Sequence, residues 1–278
     1  MDDDKIKKAV REGYGKIAKS ESSCGCGPSC CGGSSKNVAV EISKNIGYSD
    51  EELQAVPQDS NLGLGCGNPI ALASIKDGET VIDLGSGAGF DSFLAANKVG
   101  KSGKIIGVDM TPEMIDKARA NAKKGNYSNV EFRLGEIENL PVADNTADII
   151  ISNCVINLVP NKARVFAEAF RTLKPGGRVM ISDIVLHKEL PSFIRESIEA
   201  YVGCLSGAIM KDGYLQAMKK AGFENVTIMS EDVISIGEML NDPTVQAMVA
   251  KSGKSIDLLS REVEGAVSSI RVSATKPR

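Results

Sequence analysis

From Gly78 onward the chain alternates between short apolar runs and amphipathic stretches, and few folds accept that order. The apolar runs fall at residues 80–84, 104–109, 130–134, 148–152 and 178–183. Helical patterns separate most of them. Residues 111–124 form one, with Thr111 capping and Pro112 at the first helical position. Residues 161–173 form the next, stopped by Lys174-Pro175-Gly176-Gly177, a turn before the fifth strand. Strands and helices in alternation imply a parallel sheet wrapped by helices, because each parallel pair needs a long crossover. Two late runs, 226–229 and 269–274, are candidates for the sheet edge. The expected fold is α/β, a doubly wound and mostly parallel sheet.

Other segments frame that core. Residues 2–19 read as a helix with Ile6, Val10 and Ile17 on one stripe, and its leading aspartates suit the positive end of the helix dipole. A Gly- and Ser-rich tail follows, ESSCGCGPSCCGGSS, with four of the chain's seven cysteines. A helical stretch at 37–46 precedes Ser49-Asp50-Glu51-Glu52, a helix start. Residues 187–221 are helical and interrupt the alternation, as an inserted cap would. The organisation expected is an N-terminal helix and Cys-rich tail (1–36), a central α/β domain (37–185), and an α+β cap with the last strands (186–278).

Composition narrows the function. Lys and Arg number 33 against 36 Asp and Glu, a net charge of −3 that argues against nucleic acid as partner. No apolar stretch approaches the roughly 20 residues of a membrane span. The start, MDDDKIKK, lacks the apolar run of a signal peptide. The expected setting is therefore a reducing cytoplasm with free thiols, which favours thiol or metal chemistry over a disulfide framework.

The first strand runs into Asp83-Leu84-Gly85-Ser86-Gly87-Ala88-Gly89-Phe90-Asp91. This Gly-x-Gly-x-Gly spacing differs from the dinucleotide fingerprint and disfavours a pyrophosphate cradle. Asp109, at the end of the next strand, can accept hydrogen bonds from both hydroxyls of a ribose. Together these features resemble the class I S-adenosylmethionine-dependent methyltransferases, whose sheet is Rossmann-like. The resemblance implies that Asp83, Gly85, Gly87 and Gly89 form the loop on the methionine side of the cofactor. It places Asp109 on the ribose, Met110 near the adenine, and Glu136 and Ile137 at the adenine edge. Asn153 falls beside the methionyl amine or the transferring methyl. Met110 and Ile137 read equally well as plain core packing.

Three cysteines stand in separate motifs. Leu62-Gly63-Leu64-Gly65-Cys66-Gly67-Asn68-Pro69 puts one in a glycine-rich loop. Ser152-Asn153-Cys154-Val155-Ile156-Asn157-Leu158 puts another at a strand's carboxyl end, where open α/β sheets bind ligands. Tyr201-Val202-Gly203-Cys204-Leu205-Ser206-Gly207-Ala208 offers a third from the cap. With Tyr14-Gly15-Lys16-Ile17-Ala18 near the start, these segments resemble the arsenite methyltransferases along nearly the whole chain. The chemistry agrees. Trivalent arsenic is soft, carries three exchangeable hydroxides and keeps a lone pair, so three thiolates can fix it in a pyramidal site. The lone pair then attacks the sulfonium methyl in line, and positioning does most of the work. Arsenic carries no proton, so no general base is required for that step. The one histidine, His187, reads as a surface or capping residue.

The tail cysteines Cys24, Cys26, Cys30 and Cys31 admit several readings. The resemblance implies arsenic delivery or a resolving thiol. Methylation leaves pentavalent character on arsenic, and a disulfide between Cys66 and a tail cysteine could return two electrons, reset by thioredoxin or another dithiol. Cys30-Cys31 is the favoured pair. A four-thiolate zinc site, though crowded, and an adventitious soft-metal tail are the alternatives. Asp148, Asp183 and Glu138 could touch substrate or cofactor, but acids at strand ends are usually solvated or caps. The expected activity is methylation of arsenite or thiolated arsenicals to mono- and dimethylated products for detoxification, with S-adenosylmethionine as donor and no structural metal. One rival is a C- or O-methyltransferase for a small molecule, which would need a proton acceptor near the methyl. The other is a thiol-based arsenite binder on a retired methyltransferase fold, which would tolerate damage to Gly85, Gly87 or Asp109.

Overall fold

The structure, a computed structural model, describes residues 2–19, 35–69, 74–234 and 263–278. Among the described residues the N-terminal part holds the helices α1 (Asp3–Lys19), α2 (Ser35–Asn45) and α3 (Asp50–Gln54). At the start of α3, Ser49 Oγ accepts from the Glu52 N–H while the Glu52 carboxylate accepts from the Ser49 N–H, a reciprocal capping box.

The central unit then runs β1 (Thr80–Leu84), α4 (Phe90–Val99), β2 (Lys104–Asp109), α5 (Pro112–Lys124), β3 (Val130–Leu134) and β4 (Ala147–Asn153). It continues through α6 (Lys162–Thr172) into β5 (Leu173–Leu186). The cap contributes α7 (Ser192–Arg195), α8 (Ile198–Val202) and α9 (Lys211–Lys220), and the chain ends with β6 (Glu224–Val233) and β7 (Val267–Thr275). The sheet order is β3-β2-β1-β4-β5-β7-β6. Strands β1 to β5 pair in parallel, while β7 runs antiparallel between β5 and β6. The two late apolar runs thus complete the sheet, as the sequence led one to expect.

Alternation along β1 shows why its apolar run is continuous. Val81 faces Phe93, Leu94, Ile115 and Ala118 of α4 and α5, whereas Ile82 and Leu84 face Val165, Phe166 and Ala169 of α6 and Tyr214 of α9. A sheet covered on both faces needs apolar residues at odd and even positions alike. A third apolar cluster lies at the carboxyl end of the sheet. It joins Ile6 and Val10 of α1 with Ile194, Tyr201 and Leu205 of the cap and Ile184 and Val267 of the strands, and it encloses Cys154 and Cys204.

Two local expectations are corrected. The segment 174–177 is not a turn ahead of the fifth strand. β5 begins at Leu173, and the β4–β5 register shifts between Ala147 and Ile149 to absorb those residues. The Gly176 N–H bonds to Lys276 O at 2.9 Å, so pairing with the far end of the chain draws the segment into the sheet. Thr111 precedes α5 as expected, but its side chain makes no cap bond. Its N–H instead donates to Asp109 Oδ1 at 2.8 Å.

Candidate active site

Three cysteines gather around Cys154 beyond the carboxyl ends of the strands, and each arrives by a different route. Cys154 directly follows β4. Its N–H bonds to Ser182 O at 2.8 Å, extending the β4–β5 pairing, and a φ of 57° then turns the chain. Cys204 closes helix α8. The Cys204 N–H returns to Tyr201 O at 3.0 Å and the Leu205 N–H to Ala200 O at 2.9 Å, the two bonds of a Schellman turn, with Cys204 in its left-handed position at φ 63°. Glycine usually occupies that position, because a Cβ there costs roughly 1–2 kcal/mol. Cys66 lies in a loop without helix or strand between the short 3-10 turn Gln58–Ser60 and Pro69.

The Cys154 sulfur lies within 4.8 Å of that of Cys66, and its thiol is within hydrogen-bonding reach of Cys204. The Cys204 thiol also donates to Cys154 O at 2.9 Å. Cys154 and Cys204 are buried and Cys66 is half-buried. Burial pushes the Cys66 thiol above its usual value. Hydrogen bonding to Cys204 and Cys66, and then burial, lift Cys154 well above its own. Both are neutral thiols near neutral pH, ready to exchange a proton for a soft atom.

A carboxyl joins them. A ligand oxygen of Asp183 and the sulfurs of Cys66 and Cys154 all lie within 4.8 Å of one another. The reading of Asp183 as a solvated or capping acid is overturned, since it has no exposed surface. It accepts from Asn157 Nδ2 at 2.8 Å, the Ile184 N–H at 2.9 Å and the Tyr214 hydroxyl at 3.0 Å. Burial, against the pull of those bonds, raises it to about 7. Asp148 does lie at the other end of the sheet, ion-paired with Lys174 at 2.8 Å. Glu138 is buried rather than solvated, and is ion-paired with Lys7 at 2.6 Å.

The glycine loop stands beside this cluster. Gly87, at φ +51°, has no neighbour closer than Met114 Sδ at 4.0 Å where a Cβ would sit. Its N–H donates to Asp109 Oδ2 at 3.0 Å. At Gly85 a Cβ would strike Val155, and at Gly89 it would strike Phe93 and Phe132, so those glycines answer to packing. Asp83 is buried and accepts from Ser92 Oγ at 2.6 Å; burial, then the Asp91 charge, raises it well above the carboxylate range. The buried Ser86 hydroxyl finds no partner among the described residues. An open wall at Gly87, an unpartnered hydroxyl and a carboxylate at the tip of β2 fit a nucleoside cofactor bearing a charged sulfonium.

A methyltransferase-domain family matches residues 75–222. An arsenite methyltransferase of Halobacterium salinarum is 44% identical over 266 residues, 88% of this chain and 67% of that protein. One from Aquipseudomonas alcaligenes is 35% identical, covering 82% of this chain and 65% of its own length. The crystal structure of an arsenic(III) S-adenosylmethionine methyltransferase from Chlamydomonas reinhardtii superposes with a TM-score of 0.63 at 32% identity, covering 86% of this chain and 74% of that one. The chain belongs to the arsenite methyltransferase family. It spans about two thirds of the length of the two curated relatives.

Within that family frame the remaining expected site residues can be placed. Met110 is half-buried against the apolar cluster that includes Cys154 and Cys204, and Ile137 is buried in the core with Leu84 and Val108. Glu136 is ion-paired with Lys7 at 2.8 Å and with Arg11 at 3.7 Å, which draws α1 over the tips of β2 and β3. The Tyr14-to-Ala18 motif forms the crossing of α1 on α5, where Lys117 Nζ donates to Ala18 O at 3.2 Å. Asn153 directs its amide to protein groups, Tyr48, Gly67, Asp91 and Cys66, within 3.1 Å. His187 Nε2 lies 2.8 Å from both Ser268 Oγ and a Glu231 carboxylate oxygen. Cys24, Cys26, Cys30 and Cys31 fall outside the described residues. Sequence reasoning missed Tyr48, Asp91 and Ser269. Only Asp91 carried a signal, two residues beyond the last glycine of the loop.

Two outcomes follow from this geometry. Replacing Cys204 with Gly should leave a protein about 1 kcal/mol more stable than replacing it with Ala, because the Ala Cβ keeps the left-handed penalty. Equilibrium denaturation of the two variants checks this, and a more stable Ala variant would contradict the assigned backbone. Asp183 titrates near 7 when folded against 3.8 ordinarily, so the native state binds more protons between those values and loses stability as pH rises through them. Asp183→Asn should therefore raise the unfolding free energy more at about pH 8 than at about pH 5, by at most about 3 kcal/mol. An equal effect at both would remove the buried charge as the cause.

Proposed function

We propose that the protein transfers a methyl group from S-adenosylmethionine to trivalent arsenic held on Cys66, Cys154 and Cys204. The observation that carries this reading is the gathering of cysteines from three separate segments around Cys154, two of them on left-handed backbone. Such conformations persist only where the surroundings over-determine them, and they gather at functional sites.

Each thiol replaces one arsenic hydroxide, its proton leaving with that hydroxide as water. The apolar cluster around Cys154 and Cys204 limits the return of water to the bound atom. Three-sulfur ligation leaves the arsenic lone pair as the nucleophile. When bound, S-adenosylmethionine supplies an electrophilic methyl; Gly87 leaves room for it, and Asp109, fixed by the N–H groups of Gly87 and Thr111, holds its ribose. The chain's own contribution is alignment of the two reactants, the largest lever open to a reaction without proton transfer. The methylated atom has pentavalent character. Joining two thiolates in a disulfide returns two electrons to it, and an external dithiol such as thioredoxin restores the thiols. Cys66 with a tail cysteine, Cys30 or Cys31, is assigned to that step, in a reducing cytoplasm. Among the described residues no helix is long and apolar enough to cross a membrane.

The test is product speciation after incubation with arsenite, S-adenosylmethionine and a dithiol. Methylated arsenic should form with the native protein and fall at least a hundredfold in Cys154→Ser and Cys204→Ser, with donor binding intact. Asp109→Ala should lose product through donor binding instead. Arsenite turnover retained in either serine variant would break the three-thiol site. Tight arsenite binding without methylation in the native protein would favour the sequestering rival.

A further inference from the structure

Cys66 is the one site thiol not carried by a strand end or a helix cap, so something else must hold it in place. Three hydrogen bonds grip the peptide units on either side of it. The Cys66 N–H donates to Asn153 Oδ1 at 3.1 Å, Asn153 Nδ2 donates to Gly67 O at 2.8 Å, and Ser269 Oγ donates to Cys66 O at 2.7 Å. Asn153 supplies two of the three and brackets the cysteine on both sides. Its amide is oriented in turn by Tyr48 Oη at 2.9 Å and Asp91 Oδ2 at 3.1 Å, while the Tyr48 hydroxyl donates to Asp91 Oδ1 at 2.6 Å. The two amide hydrogens are thus shared among three oxygens. Tyr48 and Asp91 are both buried, so this network is screened from solvent. Gly65 makes the approach possible. A Cβ there would lie 2.8 Å from Asn153 Nδ2, and its φ of +125° disfavours any side chain.

We propose that Asn153, backed by Tyr48 and Asp91, is the positioning residue that seats Cys66 beside Cys154 and Cys204 and so sets the preference for inorganic arsenite over monomethylated arsenic. The inference rests on the three-thiol reading. Inorganic arsenite has three exchangeable hydroxides and engages all three sulfurs. A monomethylated trivalent arsenical has only two, and Cys154 with Cys204 can satisfy both. Disturbing the Asn153 grip therefore removes the third sulfur from the acceptor that needs it most. Asn153 sits at the tip of β4, between the loop that carries Cys66 and the start of α4 that carries Asp91. One side chain thus ties the acceptor site to the helix that follows the donor loop.

The experiment compares steady-state kinetics of native protein, Asn153→Ala and Gly65→Ala on arsenite and on methylarsonous acid, with donor affinity measured in parallel. Gly65→Ala pushes the loop off Asn153 while leaving Asn153, Tyr48 and Asp91 in place, and it stands in if Asn153→Ala does not fold. The expected result in both variants is a KM for arsenite raised at least tenfold. The ratio of kcat/KM for arsenite over methylarsonous acid should fall at least tenfold, with donor affinity changed less than threefold. A parallel loss on both acceptors, with the ratio unchanged, would overturn the proposal, and so would a loss confined to donor affinity. Native protein that methylates neither acceptor would instead refute the function on which the proposal rests.

Discussion

The gathering of three cysteines around Cys154 is the constraint on which the rest of the structure turns. The proposed function requires three sulfurs around one atom, which no single strand or helix can present, and the three cysteines come from a strand end, a helix cap and a loop. The first two arrive by backbone turns that disfavour any side chain. At Cys204 the local requirement is for glycine, and the chain places a thiol there instead. That choice trades local stability for a functional group, and the apolar cluster from α1, the cap and β7 supplies the packing that holds it.

The donor side follows a different logic. Its geometry comes from the sheet itself, with the glycine loop at the tip of β1 and Asp109 at the tip of β2, where parallel strands leave their carboxyl ends open. Helix α1 then bridges the two halves. Lys7 binds Glu136 and Glu138 beyond β3, while Ile6 and Val10 enter the apolar cluster that surrounds the thiols. The N-terminal helix is therefore part of the site's wall, and its ion pairs and apolar stripe serve opposite sides of one cleft.

Much of this was legible in the sequence because its signals are local. Strands β1, β2 and β3 begin and end where their apolar runs do, bounded by turn residues. β5 was harder to read. Pro175 and Gly176 signal a turn on any local scale, and only pairing with the residues around Lys276, a hundred positions away, keeps them in the strand. The three thiol motifs stood out, but the left-handed backbone beneath Cys154 and Cys204 left no trace in composition. Asp183 looked like any acid near a strand end. Its burial depends on Asn157, Tyr214 and two cysteines from distant segments, a tertiary outcome with no sequence marker. Asn153 stood in a recognisable motif, yet its partners Tyr48 and Asp91 emerge only when the chain is folded.

The most direct test of the account is arsenic X-ray absorption on protein loaded with one equivalent of arsenite, with Cys24, Cys26, Cys30 and Cys31 changed to serine. The account predicts a first shell of three sulfur atoms and no oxygen, with one sulfur lost in Cys66→Ser. A shell that mixes sulfur with retained oxygen, unchanged when Cys66 is replaced, would mean that the three thiols do not share one arsenic atom.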